Sequence, residues 1–114
     1  MTKPYYEFFC PVTVIAGNAA LEHIPFELTS MGSKQALIIT DKGVRSNGLL
    51  APIEAAFAST DVNIGFIFDD VPPDSSLETV RAVAEAYRNN NCDAIIAIGG
   101  GSVIDTAKAA NILV

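Results

Sequence analysis

The sequence is poor in basic residues, and those it has are scattered. Seven Lys and Arg stand against thirteen Asp and Glu, which gives a formal charge of −6 and an isoelectric point near 4.5. The phosphate contacts of DNA- and RNA-binding proteins need clustered Lys and Arg. We therefore expect no nucleic-acid partner.

Long apolar runs and cysteines are also scarce. No apolar run approaches the roughly 18 residues that can cross a bilayer, and the opening MTKPYYEFFCPV makes a poor signal peptide because Glu7 and Pro11 interrupt it. Cys10 and Cys92 are far apart in the chain, and we expect two free, buried thiols in a reducing compartment. These features predict a cytoplasmic protein without a membrane partner.

Histidine occurs once, at His23. The chain cannot supply the several histidines that zinc and iron sites use, and His23 has no evident partners for a nucleophile–base–acid triad. The 114 residues suit one domain and are short for an enzyme with two substrates. We therefore assign no catalytic residue and no metal ligand to this chain.

Short apolar runs alternate with helical patterns along the chain. This alternation predicts an α/β fold with a parallel sheet flanked by helices. An N-terminal β-hairpin is expected where Tyr5–Phe9 pairs with Val12–Ala16. Further strands are predicted at Ala36–Thr40, Asn63–Phe68 and Ala94–Ile98, and helices at Asn18–Ser30, Pro52–Ser59, Ser75–Asn89 and Ser102–Leu113.

Two of the predicted helices carry local detail. Pro25 is expected to break or kink the first of them. In Ser75–Asn89, Ser75 and Glu78 have the spacing of a capping box. One apolar face is predicted there, made of Leu77, Val80, Ala84 and Tyr87.

Ligands of such sheets bind beyond the carboxyl ends of the strands. After the last predicted strand come Gly99, Gly100, Gly101 and Ser102. Glycines allow a ligand to approach the backbone, and the helix that follows offers unpaired N–H groups. The segment therefore predicts a phosphate or pyrophosphate site, although a tight strand–helix turn is the simpler interpretation. It matches neither the G-x-G-x-x-G fingerprint nor the P-loop.

Acids follow the other two strands. Asp41 could accept hydrogen bonds from a ribose or simply open a turn with Lys42 and Gly43. Asp69 and Asp70 could hold Mg²⁺, as in a phosphoacceptor pocket, or be solvated loop acids. Asp105 is interpreted as shaping the glycine loop, since a carboxylate facing a pyrophosphate would repel it.

Three segments together resemble the iron-containing (group III) alcohol dehydrogenases. GGGSVIDTAK at Gly99–Lys108 matches the G-G-G-S-x-x-D-x-A-K signature of that family at every specified position. LIITDKG at Leu37–Gly43 is similar to its second strand, and FDDVPPDSSLETV at Phe68–Val80 resembles the loop and helix between the two. The likeness extends over essentially the whole chain.

The resemblance implies a Rossmann-like N-terminal domain for NAD and a C-terminal helical domain that holds Fe²⁺ or Zn²⁺. Hydride would pass between the alcohol carbon and the nicotinamide while the metal polarises the oxygen. Asp41 would hold the adenosine ribose and favour NAD over NADP. Asp74 stands where many members carry an Asn near the cofactor, which is a departure from the pattern. The implied pyrophosphate cradle is Gly99, Gly100, Gly101, Ser102, Val103, Ile104 and Asp105.

Nothing in the sequence corresponds to the helical domain. Residues 1–114 are thus expected to be a truncated dinucleotide-binding domain that binds no metal and is inactive alone, in a protein that forms homo-oligomers and acts on a small alcohol or aldehyde. A bare sheet edge should favour self-association. Two alternatives stay open, a dehydroquinate-synthase-like cyclase scaffold and a flavodoxin-like signalling module.

Overall fold

A computed structural model describes residues 14–74 and 76–114. Its elements follow the predicted alternation of helices and strands. Helices α1 to α5 and strands β1 to β3 are His23–Ser30 (α1), Gln35–Ile39 (β1), Lys42–Ser46 (α2), Ala51–Phe57 (α3), Asn63–Phe68 (β2), Leu77–Asn89 (α4), Ala94–Ala97 (β3) and Gly101–Leu113 (α5). A 3₁₀ turn, Ala20–Glu22, leads into α1.

The described strands form a parallel sheet in the order β2-β1-β3. Strand β1 lies in the centre, and its residues from Ala36 to Ile39 are fully buried. Its side chains alternate between the two faces of the sheet. Leu37 and Ile39 pack against α4 and α5, whereas Ala36 and Ile38 pack against α1 and α3. The α/β class and the parallel sheet between helices are therefore confirmed.

Strand β2 contains an irregularity that the sequence reading missed. Ala36 pairs with Ile64 and Leu37 with Phe66, so Gly65 is an extra residue on β2. A Cβ atom at Gly65 would lie 2.7 Å from Cγ of Gln35 and 3.0 Å from Sγ of Cys92. Glycine thus allows β2 to bulge here while staying close to its neighbours.

Side chains fix both ends of the β1–β3 pair. At the amino ends, the carboxylate of Asp93 accepts hydrogen bonds from Ser33 Oγ (2.5 Å), the Lys34 N–H (2.9 Å) and the Gln35 N–H (3.0 Å). These hydrogen bonds lower the pKa of Asp93, and the bond from Ser33 has the largest effect. At the carboxyl ends, the buried Thr40 hydroxyl donates to the Ile98 carbonyl at 2.7 Å. These side-chain bonds therefore hold the two strands in position together with the backbone hydrogen bonds of the sheet.

Several local predictions need correction. Helix α2 replaces the simple turn predicted at Asp41–Gly43, because the Asp41 side chain caps it. Pro25 lies in the first turn of α1 and does not break it, since a proline there removes no helical hydrogen bond. Helix α4 is capped by Ser76, which accepts from the Thr79 N–H, whereas Ser75, the predicted cap, lies outside the described residues. Leu77 is 61% exposed, and Val83, which was not predicted, is buried.

The predicted hairpin lies almost wholly outside the described residues. Of its second strand, residues 14–16 are described, and they are exposed and carry no strand. Cys10 also lies outside the described residues, whereas Cys92 is a buried free thiol whose pKa is raised by burial. No helix in the described ranges is long and apolar enough to span a membrane.

Candidate functional site

The site lies where the carboxyl ends of β1 and β3 meet the start of α5. The connection from β1 to β2 passes through α3 on one face, and that from β2 to β3 passes through α4 on the other. A crevice opens at such a point of divergence. It holds a cavity of about 530 Å³, lined by Asp41, Lys42, Gly43, Asp70, Val71, Pro72, Pro73, Gly100, Gly101, Ser102 and Val103.

Gly99 turns the chain from β3 toward α5. Its φ of +150° is a conformation that side-chain-bearing residues rarely adopt. A Cβ atom there would also lie 2.8 Å from Cγ2 of Val103, whose side chain is buried. At this position the fold itself requires glycine.

Gly100 and Gly101 differ from Gly99 in this respect. A Cβ atom added at either position would meet no atom within 4 Å, and the φ of −86° at Gly100 is open to any residue. Nothing in the packing of the described residues requires glycine at these two positions. Both line the cavity at the N-terminus of a 13-residue helix, where unpaired N–H groups and the helix dipole favour an anion. The cradle therefore fits a phosphate group that comes close to the backbone.

Ser102 is the second residue of α5, and its hydroxyl donates to the Pro73 carbonyl in the loop after β2. This bond connects the cradle to the loop that forms the opposite wall of the cavity. The backbone carbonyl of Ser102 accepts from the Thr106 hydroxyl at 2.7 Å. Both the hydroxyl and the backbone carbonyl of Ser102 are thus engaged in hydrogen bonds within the protein.

Asp41 lies on the wall formed by the end of β1. Its Oδ1 accepts the Val44 N–H at 2.8 Å and caps α2. Its Oδ2 faces the glycine loop, 3.5 Å from where a Cβ atom of Gly99 would be, and accepts no hydrogen bond from the described residues. Asp41 therefore both caps α2, as a turn acid would, and presents a carboxylate oxygen toward the cavity.

The structure brings only some of the predicted cofactor residues together. Asp41, Gly100, Gly101, Ser102 and Val103 line the cavity. Gly99 directly precedes Gly100 in the chain but does not line the cavity, and the side chain of Val103 is buried. The other three predicted residues are exposed and outside the cavity lining, namely Asp74, Ile104 and Asp105.

The sequence reading missed part of the cavity wall. Lys42, Val71, Pro72 and Pro73 line it, and the Pro-Pro pair could have indicated a rigid loop at a strand end. Asp69, a candidate Mg²⁺ ligand, is instead bound by Lys42 Nζ at 3.1 Å and Arg45 Nη1 at 2.8 Å. The hydrogen bond from Lys42 is the main cause that lowers the pKa of Asp69. Within the described ranges, no cluster of three or more His, Cys, Asp or Glu could hold a metal ion.

Comparisons with known proteins agree with this architecture. The family model described as iron-containing alcohol dehydrogenase matches residues 11–114. The NAD-dependent methanol dehydrogenase of Bacillus methanolicus is 34% identical over 102 residues, which cover 90% of this chain and 26% of that protein. The choline dehydrogenase of Bacillus subtilis is 30% identical over 107 residues, covering 94% of this chain and 26% of that protein.

Solved structures show the same relationship. The sulfoacetaldehyde reductase of Bifidobacterium kashiwanohense, in complex with NAD⁺, aligns with a TM-score of 0.83 and 28% identity over 95% of this chain and 28% of its own. The chain thus spans about a quarter of the length of the curated relatives it matches. The match over residues 11–114, with the fold and the glycine cradle described above, shows that this chain belongs to the iron-containing alcohol dehydrogenase family.

Proposed function

We propose that this chain binds NAD in the cavity between β1, β3 and α5. The pyrophosphate would lie against Gly100, Gly101 and Ser102 at the N-terminus of α5, and the adenosine ribose would lie beside Asp41. The observation that carries the proposal is the open space at Gly100 and Gly101, where a side chain would meet no atom of the protein within 4 Å. Glycine at these positions is explained by a ligand that must contact the backbone.

The carboxylate of Asp41 sets the expected preference between the two nicotinamide cofactors. A carboxylate accepts hydrogen bonds from the ribose hydroxyls of NAD and repels the 2′-phosphate of NADP. Its Oδ1 is held by the cap to Val44, so the orientation of the group is fixed before a ligand arrives. The chain is accordingly proposed to bind NAD more tightly than NADP.

The reaction we propose for the protein to which this domain belongs is the interconversion of a primary or secondary alcohol and an aldehyde or ketone. NAD, when bound, supplies the hydride acceptor. The described residues contribute the binding and orientation of the dinucleotide, and they include no set of side chains suited to a metal ion. We expect the 114-residue chain alone to oxidise no alcohol. We also propose that residues 1–114 are part of the dinucleotide-binding domain of a cytoplasmic, homo-oligomeric protein.

Calorimetric titration of the 114-residue chain with NAD⁺ and then with NADP⁺ tests the proposal. We expect tighter binding of NAD⁺, at least a tenfold loss of NAD⁺ affinity in Gly101→Val, and a smaller preference for NAD⁺ in Asp41→Ala. Asp61→Ala is the control, because this exposed acid precedes β2 at the far end of the sheet from the cavity. Failure of NAD⁺ to bind, in a chain that urea unfolding shows to be folded, would contradict the proposal.

A further inference from the structure

Asp69, just beyond the end of β2, holds two cations of the neighbouring helix α2. Its Oδ1 lies 3.1 Å from Lys42 Nζ, and its Oδ2 lies 2.8 Å from Arg45 Nη1. The Asp69 side chain is 21% exposed, whereas those of Lys42 and Arg45 are 71% and 51% exposed. A semi-buried carboxylate thus determines where two exposed cationic side chains point.

These two cations lie next to the acid that faces the cavity. Lys42 follows Asp41 directly and lines the same cavity. Asp69 does not line that cavity; together with Arg45 it lines a separate groove on the β2 side, beside Phe66. The Lys42 ammonium and the Arg45 guanidinium are therefore both paired with a carboxylate that lines the β2 groove and not the cavity.

We propose that Asp69 is a positioning residue for cofactor specificity, holding Lys42 and Arg45 where they cannot pair with a 2′-phosphate beside Asp41. This inference rests on the proposed binding of NAD. Asp41 alone would repel the phosphate, but a free cation on the first turn of α2 would offset that repulsion. The selectivity of the site then depends on two acids: one faces the ribose, and the other sequesters the cations beside it.

The expected size of the effect follows from the exposure of the pairs. Each exposed ion pair contributes little free energy. Its loss frees a cation, which binds a phosphate dianion more strongly than a hydroxyl group. Asp69→Asn is expected to raise NADP⁺ affinity relative to NAD⁺ by about three- to tenfold. NAD⁺ carries no 2′-phosphate, so its own affinity should change much less.

Asp70→Asn is the matched control for Asp69→Asn. Asp70 is 75% exposed, lies 3.8 Å from Lys42 Nζ and lines the cavity itself. If only the loss of a nearby negative charge mattered, Asp70→Asn would shift the ratio of NADP⁺ to NAD⁺ affinity at least as much as Asp69→Asn. If the hold on the cations matters, Asp69→Asn has the larger effect, and Lys42→Gln added to it removes most of the gain.

The experiment is calorimetric titration of the wild-type chain, the two single variants and the double variant with NAD⁺ and NADP⁺, after urea unfolding has shown each to be folded. A larger shift in Asp69→Asn, reversed by Lys42→Gln, supports the inference. NAD⁺ binding by the wild type with equal shifts in Asp69→Asn and Asp70→Asn, or with none, overturns it and leaves the proposed function intact. Absence of NAD⁺ binding by the folded wild type overturns the proposed function and this inference together.

Discussion

Substitution of neighbouring glycines by alanine should separate the stability of the fold from ligand binding. Gly99→Ala places a Cβ atom 2.8 Å from Cγ2 and 3.2 Å from Cβ of the buried Val103, at a φ of +150°. The backbone strain is of order 1–3 kcal/mol, and forcing a methyl group into a packed site adds about 1–3 kcal/mol. We expect Gly99→Ala to lower the free energy of unfolding by roughly 2–6 kcal/mol, a large share of the 5–15 kcal/mol typical of a domain.

Gly101→Ala is the matched variant, because the added Cβ atom meets nothing within 4 Å. Alanine is a better helix former than glycine, so the free energy of unfolding should stay the same or rise by up to about 1 kcal/mol. Binding of NAD⁺ should nevertheless weaken, since the methyl group occupies space beside the proposed pyrophosphate. Both free energies come from urea unfolding followed by far-ultraviolet circular dichroism. Equal losses of stability in the two variants would refute the distinction between the two glycines.

Two further predictions concern contacts away from the cavity. The pKa of Asp93 is lowered by hydrogen bonds from Ser33 and the backbone, so its contribution to stability is present above about pH 4 and is lost as the pH falls through its folded-state pKa. Asp93→Asn should lower the free energy of unfolding at pH 7 by about 1 kcal/mol. Between pH 5 and pH 3, this variant should lose less stability than the wild type. Urea unfolding at several pH values measures both, and a parallel decline in the two proteins would contradict the reasoning. Gly65→Ala should lower the free energy of unfolding by about 1–3 kcal/mol, because the new Cβ atom would lie 2.7 Å from Cγ of Gln35 and 3.0 Å from Sγ of the buried Cys92. In the same assay, Gly65→Ala combined with Cys92→Ala should recover the part of that loss that is due to Cys92.

The strands and long helices could be predicted from the sequence because their signals are local. Runs such as Ala36–Thr40 have the β-branched composition of buried parallel strands, and α4 has a helical apolar period. The rule that ligands bind at the carboxyl ends of strands directed attention to Asp41 and to the glycines. The structure brings both to one cavity.

What could not be predicted depends on distances between residues far apart in the chain. The ion pair between Asp69 and Lys42 joins residues 27 positions apart in the chain. The hydrogen bonds that Asp93 accepts from Ser33 and its neighbours join residues about 60 positions apart. Neither acid has a local pattern that distinguishes it from a solvated loop residue. Helix α2 was missed because five residues, one of them glycine, give a weak helical signal, and its stability depends on the Asp41 cap.

The bonds at the two ends of the β1–β3 pair have a mechanical consequence for the cavity. A strand that slides by one residue moves about 3.3 Å and turns every side chain to the opposite face. For β3 that displacement would carry the glycine loop away from Asp41 and dismantle the crevice. Asp93 opposes such a slide from the end of the strands remote from the cavity, and Thr40 opposes it from the near end. The alignment of Asp41 with the glycine loop is therefore fixed partly by a carboxylate that no ligand in the cavity could touch.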